Sequence, residues 1–336
     1  MKVAIIGAGM AGASAAAWLV AAGAAVEVFD KGRAVGGRMS SKRLDEQHYL
    51  DMGAQYFTAR DPAFTALVAD WQNAGVVAPW SFTPYVFNDK LQISADQERR
   101  FVGVPSMQQP IKQLLADVAV TTSCRIQSIY QDEQSSWHLS AEDGREFSGF
   151  THVLVTTPPV QAAALVQEFP ELRNLIPDTI LRPCWAVVLT VKSSQTEDFE
   201  SIHPAKGIFV QTGSVRWACQ LQDKPERAPT TRWLVHFSAE FTKAHLTESL
   251  ETLAGIAVTE LERILSCSIE ISESICHRWL FATVDSAQQS PGILNITELP
   301  IWLAGDWSFG GRIENAWLAG RQAAEQIWQS ACGSTK

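Results

Sequence analysis

Three glycines near the amino terminus have the spacing that a dinucleotide phosphate requires. Gly7, Gly9 and Gly12 form a GxGxxG sequence between a β-branched run and an alanine-rich segment. In such a strand–turn–helix unit the first glycine permits the turn, the second lets the backbone approach a pyrophosphate, and the third lets the helix pack on the strand. The helix N-terminus then faces the phosphates with free N–H groups and a partial positive charge. The sequence therefore predicts a nucleotide-binding turn here.

A carboxylate follows at the position where an adenosine ribose would lie. A second apolar strand is predicted at Ala25–Phe29, and Asp30 ends it, 21 positions after Gly9. Its carboxylate can accept hydrogen bonds from both ribose hydroxyls, and its charge disfavours a ligand that carries a 2′-phosphate. This pattern fits NAD and FAD equally well.

The carboxyl-terminal part of the chain contains a second feature of the same kind. A short apolar strand runs into Gly305 and Asp306, a glycine-rich turn follows, and a helix is predicted to begin near Arg312. A helix N-terminus is again available to a negatively charged group. A site for adenosine alone does not explain why the chain has a second strand, glycine-rich turn and helix of this kind near its carboxyl terminus.

The residues between these ends resemble a known family. Gly36, Gly37 and Arg38 resemble the RxGGR pattern, and residues 51–57 are similar to the segment that passes along the flavin ring in the flavin amine oxidase superfamily. With the GxGxxG turn and the terminal acid, the resemblance covers nearly the whole chain. It implies an α/β fold with a glutathione-reductase-type FAD-binding Rossmann domain and a substrate domain built on a mixed or antiparallel sheet.

FAD explains both ends of the chain, because its adenosine diphosphate and its flavin are held separately. The resemblance implies that Gly305 and Asp306 bond the ribityl-phosphate region and that the helix near Arg312 points at the flavin N1/C2 edge. Negative charge develops there on reduction, and a helix N-terminus stabilises it by roughly 0.3–1 kcal/mol. The cysteine that carries covalent flavin in monoamine oxidases has no counterpart at residues 307–313, so the resemblance implies non-covalent FAD. The other predicted cofactor-binding residues are Met10, Ala11, Lys31, Gly37, Arg38, Met39, Gly53, Ala54, Gln55, Tyr56, Ile126 and Ile313.

Four smaller segments most resemble the renalases, particularly their bacterial members. They are residues 103–107, 184–186, 235–237 and 277–279. The resemblance implies oxidation of the 2- and 6-dihydro isomers of NAD(P)H to NAD(P)+ by hydride transfer to flavin N5, with O2 as electron acceptor and H2O2 as product. Formation of the aromatic pyridinium drives this transfer, so positioning matters more than a strong base.

The candidate catalytic residues come from these segments. Trp185 and Trp279 could form a flat lid over a flat substrate, although most tryptophans pack in cores. His236 could hydrogen-bond the substrate or the flavin edge, or it could be an ordinary core histidine. Arg278, like Arg312, suits a phosphate or carboxamide but could equally be a packing or surface residue.

Two other functions stay open. A flavin amine oxidase acting on a small amine would need that amine deprotonated, and the lysine and paired aromatic rings that such enzymes commonly place near N5 match no position here. A flavin-binding protein without turnover belongs to a different class. A large second domain over the ring argues against it, because a sequestering protein does not need one.

Composition excludes several further classes. The chain has 336 residues and a formal net charge of −9, which argues against nucleic acid or an anionic membrane surface as a partner. Six cysteines and seven histidines lie without metal-ligand spacing, so we expect no metal site and a reduced, cytoplasmic protein. The apolar residues 1–25 are interpreted as a strand, turn and helix rather than a secretory signal. Oligomeric state is left open.

The pattern of elements predicts two domains. Residues 1–60, 101–165 and 290–330 are assigned to a discontinuous FAD-binding domain, and residues 61–100 and 166–289 to the substrate domain.

A capping box at Ser106 and Gln109 predicts a helix to about residue 117. Four short strands between residues 119 and 149 are predicted to form a meander.

Overall fold

The computed structural model describes residues 1–45, 48–178, 180–192 and 205–333. Among these residues a six-stranded sheet has the order β19-β20-β13-β1-β2-β9. Neighbouring strands are parallel except β19, which runs antiparallel to β20. The strands are β1 (Lys2–Ile6), β2 (Ala25–Phe29), β9 (Ala119–Thr121), β13 (His152–Val155), β19 (Leu294–Ile296) and β20 (Leu299–Leu303).

A second sheet, with seven strands in the described part of the chain, has the order β18-β14-β17-β16-β15-β6-β7. All its neighbours are antiparallel except β15 and β6, which makes it mixed, as predicted. Its strands are β6 (Pro84–Asn88), β7 (Lys90–Ile93), β14 (Leu181–Val191), β15 (Gly207–Val210), β16 (Val215–Gln220), β17 (Arg232–Phe237) and β18 (Ile271–Val284).

Smaller elements complete the α/β fold. The remaining strands are β3 (Ser41–Arg43) with β4 (Tyr49–Asp51), β5 (Val77–Pro79) with β8 (Phe101–Gly103), and the meander of β10 (Ile126–Gln131), β11 (Trp137–Ala141) and β12 (Glu146–Phe150). The α-helices are α1 (Met10–Ala21), α2 (Pro62–Asn73), α3 (Gln109–Leu114), α4 (Pro159–Leu165), α5 (Pro170–Arg173), α6 (Ala239–Ala244), α7 (Leu250–Leu265) and α8 (Ile313–Gly333), and 3₁₀ helices lie at Gly37–Met39 and Asp306–Phe309. No helix in the described ranges is long and apolar enough to cross a membrane.

Helices α1 and α8 bring the two ends of the chain together. A Cβ placed on Gly320 of α8 would lie 2.0 Å from the carbonyl oxygen of Ala11, so the helices meet without a side chain between them. The buried Ser14 hydroxyl of α1 donates to the carbonyl of Trp317, at 2.8 Å. This contact fixes the start of α1 relative to α8.

The seven-stranded sheet presents two different faces. Trp185, Val187 and Val235 pack on one side with α7. Ala186, Val188 and the other alternate residues face the opposite side, where they join the core that contains α1 and α8. Period-2 alternation along each strand therefore decides which side chains can approach the nucleotide-binding part.

Two local predictions are wrong. Helix α3 begins at Gln109 rather than near Ser106, because the Met107 amide donates to the buried Asp51 carboxylate, at 3.1 Å, and residues 106–108 turn around it. Strand β9 is not part of the meander, because it pairs in parallel with β2.

One stretch also packs away from its predicted domain. Residues 166–180 belong to the predicted substrate domain. Val166, Leu172 and Ile176 are buried instead beneath the six-stranded sheet, in the core that contains Trp137. The apolar side chains of this stretch cover the meander, and β14 starts only after them.

The α1–α8 contact predicts opposite effects for two helical glycines. Gly320→Ala should lower the free energy of unfolding by about 1–3 kcal/mol, since the new methyl group has no room against the Ala11 carbonyl. Gly255→Ala in α7 is the matched control, because nothing lies within 4 Å of its Cβ position. It should raise stability by roughly 0.4–1 kcal/mol. Urea denaturation measures both, and equal shifts would contradict the proposed contact.

Candidate functional site

The glycine turn has the shape that a pyrophosphate needs. Gly7 has φ of +115°, and a Cβ on Gly12 would lie 1.9 Å from the Gly7 carbonyl oxygen, so helix and strand touch at this point. A Cβ on Gly9 would instead meet nothing within 4 Å. The second glycine therefore borders open space at the N-terminus of α1, where the first helical amides have no intrahelical acceptor.

Asp30 connects the loops around this space. Its Oδ2 accepts from the Ala8 amide at 2.7 Å and its Oδ1 accepts from the Gly32 amide at 2.6 Å. The carboxylate thereby holds the glycine turn against the loop after β2. Lys31 follows directly; burial, with the charge of Arg125 adding to it, lowers the pKa of Lys31.

Arg38 joins the amino-terminal loop to the carboxyl-terminal strand end. Its Nη1 and Nη2 lie 2.7 and 2.5 Å from the two carboxylate oxygens of Asp306, a residue 268 positions away. Nη1 also donates to the Ala282 carbonyl. Both residues are predicted to bind the cofactor, Asp306 at the ribityl-phosphate region, and the structure brings their side chains into one bidentate ion pair.

The segment predicted to run along the flavin packs on this pair. The Ala54 amide donates to the Arg38 carbonyl at 2.9 Å, and a Cβ on Gly53 would lie 2.1 Å from that oxygen. Met39 is buried in the adjoining core. Gly53 is therefore required for two backbones to meet.

The start of α8 is held in an unusual conformation. Gly310, Gly311 and Arg312 have φ of +87°, +89° and +77°, so three successive residues are left-handed before the helix begins at Ile313. Glu314 fixes the helix, since its buried carboxylate accepts from two amides, those of residues 60 and 61, at 2.6 and 2.7 Å.

Two predicted catalytic residues converge on one backbone carbonyl. His236 Nε2 and Trp279 Nε1 each lie 3.0 Å from the Met52 oxygen. A carbonyl only accepts, so His236 carries its proton on Nε2. Burial lowers the pKa of His236 to about 4, which keeps the ring neutral near pH 7.

The other two predicted catalytic residues lie elsewhere. Trp185 and Arg278 are opposite each other in the β14–β18 ladder and share the far face of the sheet. The Arg278 guanidinium lies 5.5 Å from the Trp185 ring, and Trp185 Nε1 donates to the His245 carbonyl. Because Trp279 follows Arg278 directly, strand alternation points the two side chains in opposite directions. We therefore leave Trp185 and Arg278 out of the proposed site.

Sequence reasoning missed a buried ionic cluster beside the flavin segment. Asp51, Lys224 and Arg227 have side chains that are 0%, 0% and 3% exposed, and both cations contact Asp51 Oδ2. Lys224 Nζ also donates to Gln55 Oε1 at 2.7 Å. The pKa of Asp51 is lowered, with Lys224 and then Arg227 overcoming the opposing effect of burial.

A second missed residue is Arg100. Its buried guanidinium lies 5.1, 5.3 and 5.6 Å from the rings of Tyr56, Phe82 and Phe209, and it pairs with Asp96. Cation–π contacts of this kind stabilise a desolvated arginine. The charged run at residues 96–100 looks like a solvated loop in the sequence, so no pattern there indicates a buried arginine.

The remaining predicted residues are distributed along these elements. Met10 and Ala11 open α1, Ile126 opens β10, and Tyr56 packs 5.6 Å from the Trp217 ring. In the described ranges no three His, Cys, Asp or Glu side chains are grouped to hold a metal ion. The N-termini of α1 and α8 are available to negative groups. Asp30 and Asp306 provide one fixed carboxylate near each of them, and the ring side chains of His236 and Trp279 are uncharged.

Comparisons with known proteins identify families for both parts. Residues 5–71 match the NAD(P)-binding Rossmann-like domain, and residues 86–328 match the flavin containing amine oxidoreductase family. The chain is similar to renalase of Mus musculus, with 24% identity over 344 aligned positions that cover 92% of this chain and 93% of that protein.

Solved structures share the fold. A candidate protoporphyrinogen oxidase from Exiguobacterium sp. 255-15 has a TM-score of 0.73 at 13% identity and covers 97% of this chain and 98% of its own. A putrescine oxidase redesigned in its cofactor binding has a TM-score of 0.71 at 13% identity, with 98% and 99% covered. The flavin family match alone spans well over half of the sequence. The chain therefore belongs to the flavin containing amine oxidoreductase family and is a flavin-dependent oxidoreductase.

Proposed function

We propose that the protein binds FAD non-covalently and oxidises isomeric 2- and 6-dihydro forms of NAD(P) to NAD(P)+. The observation that carries the cofactor assignment is the Arg38–Asp306 ion pair, which joins the nucleotide-binding turn to the start of the carboxyl-terminal helix. FAD can contact both places, because a ribityl chain and a redox ring follow its adenosine diphosphate.

The residues present fit this cofactor. The space at Gly9 admits a pyrophosphate, and Asp30 offers a carboxylate for the adenosine ribose. The N-terminus of α8, fastened by Glu314, provides partial positive charge for the flavin end. When bound, FAD would supply the hydride acceptor, and O2 would take the two electrons from it and leave as H2O2.

The side chains of Trp279 and His236, which contact residues 51–57, suit a flat, uncharged hydride donor. Trp279 and the neutral His236 are fixed on the Met52 carbonyl, so they orient a ring without offering it a charge. A dihydropyridine loses a hydride without prior deprotonation and gains aromaticity. Positioning is therefore the main task of these side chains. Similarity to the mouse renalase over most of both chains supports this choice of substrate.

Flavin bleaching tests the substrate. Anaerobic mixing of the FAD-loaded protein with 2-dihydro-NAD should abolish the flavin absorbance within one turnover time, and added O2 should restore it with one H2O2 per cycle. A panel of small amines serves as the comparison. Bleaching by an amine and none by either dihydropyridine would replace the proposed reaction with amine oxidation.

The pH profile of flavin reduction is a second prediction. Because the pKa of His236 is lowered to about 4, its ring stays neutral above that value and gains a proton only in more acidic solution. With a dihydropyridine, the rate constant of reduction should be flat between about pH 6 and about pH 9. Stopped-flow absorbance measures it. A rate that rises steadily with pH would indicate an ionising amine substrate or a catalytic base.

Cofactor retention tests the two-ended site. Asp30→Ala and Asp306→Ala should each weaken FAD binding by about tenfold or more, about 1.4 kcal/mol, because one removes the ribose acceptor and the other leaves Arg38 unpaired. Glu325→Gln, which breaks the partly exposed pair with Arg321 on α8, should bind FAD normally. The flavin-to-protein absorbance ratio after gel filtration distinguishes them. Full retention in both aspartate variants would refute the proposed site.

A further inference from the structure

The buried ionic cluster behind the flavin segment has an unbalanced charge. Lys224 Nζ lies 3.5 Å from Asp51 Oδ2, and Arg227 Nη2 lies 2.7 Å from the same oxygen. All three side chains are almost completely enclosed. Two cations therefore share one carboxylate, which leaves one positive charge in excess.

The other contacts of the cluster do not cancel this charge. Asp51 Oδ1 accepts from the Ser41 hydroxyl at 2.6 Å, and Lys224 Nζ donates to the Gln55 amide oxygen. The Trp80 ring lies 5.2 Å from Nζ. The Gln55 oxygen and the Trp80 ring favour the ammonium form of Lys224, and both are neutral. Burial lowers the pKa of Lys224, and the Asp51 carboxylate opposes this effect.

Two neighbouring acidic groups do not supply the missing negative charge. Burial raises the pKa of the Cys219 thiol to about 11, so this group beside Gln55 is not a thiolate near pH 7. Asp223 precedes Lys224 in the chain, but its carboxylate already has a cation 3.7 Å away, the ammonium of Lys206. Including this second pair, the local sum over the described residues stays at one positive charge.

The excess charge lies next to the residues that are proposed to face the flavin, among them Gly53 and His236. Gln55 accepts from Lys224 at 2.7 Å and donates through Nε2 to the Gly53 carbonyl at 3.0 Å. Lys224 also contributes to lowering the pKa of His236. Charges inside proteins are paired, because water no longer solvates them. A negative charge that arrives with a ligand would therefore balance this cluster.

We propose that Lys224 stabilises the negative charge that FAD acquires on accepting a hydride, and so raises the midpoint potential of the bound cofactor. This inference rests on the proposed FAD site. Lys224 acts through its field and through Gln55, without touching the reacting atoms, and the weak screening of the protein interior lets a single charge act over this distance. Lys224 therefore positions Gln55 and also raises the midpoint potential of the cofactor.

The test compares three lysine variants in the FAD-loaded, full-length protein. Lys224→Met removes the charge and keeps most of the length of the side chain, while Asp51 retains Arg227 as its partner. Its reduction equilibrium should be about tenfold less favourable, which for a two-electron couple is about 30 mV lower in midpoint potential. Lys224→Arg keeps the charge and should stay within a few-fold of the parent protein. Lys206→Met is the control for net charge, since its ammonium is partly exposed.

Sulfite gives an independent readout, because its addition to the flavin also makes the ring negative. Lys224→Met should weaken sulfite binding about tenfold, and Lys224→Arg and Lys206→Met should not. Unchanged potential and sulfite affinity in Lys224→Met would overturn the inference, as would an equal loss in Lys206→Met. Neither measurement needs the substrate, so a wrong substrate assignment would not affect them. A protein that takes up no FAD would refute the proposed function at an earlier step.

Discussion

The ion pair between Arg38 and Asp306 determines how the two ends of the chain meet. Its partners are 268 positions apart, and both lie in short 3₁₀ helices that follow strands of the six-stranded sheet. A bidentate guanidinium–carboxylate contact fixes both distance and orientation. The carboxylate is mostly buried, and a partly buried charge without its partner is strongly destabilising. The loop that carries Arg38 therefore cannot move independently of the strand end that carries Asp306.

The seven-stranded sheet is positioned against this framework by hydrogen bonds to backbone rather than by complementary charges. His236 and Trp279 come from different strands, yet both donate to the Met52 carbonyl. Behind them the Asp51 cluster connects the loop after β16 to the end of β4. The two side chains that contact the Met52 carbonyl are thus uncharged, and the neighbouring residue Asp51 contacts Lys224 and Arg227.

Much of the fold can be predicted from local pattern. The strand at Ala25–Phe29 coincides with its predicted limits, because buried parallel strands are continuous apolar runs bounded by turn residues. The mixed substrate sheet and the helix near Arg312 also follow from pattern and resemblance. Residues whose role depends on tertiary contact could not be predicted. Lys224 and Arg100 occur in polar loops, and no sequence pattern around them indicates burial. Trp185 and Arg278 could have been separated from Trp279 by strand alternation alone once the register of β14 and β18 was known.

The Met52 carbonyl has a further effect on what can bind beside it. A carbonyl oxygen has two lone pairs, and here an imidazole and an indole occupy both. A ring edge that brought an N–H against this oxygen would find no acceptor, and a buried unpaired donor costs about 1–3 kcal/mol. Because both lone pairs of the Met52 oxygen are occupied, this peptide disfavours heterocycles that present an N–H to it, independently of any side chain.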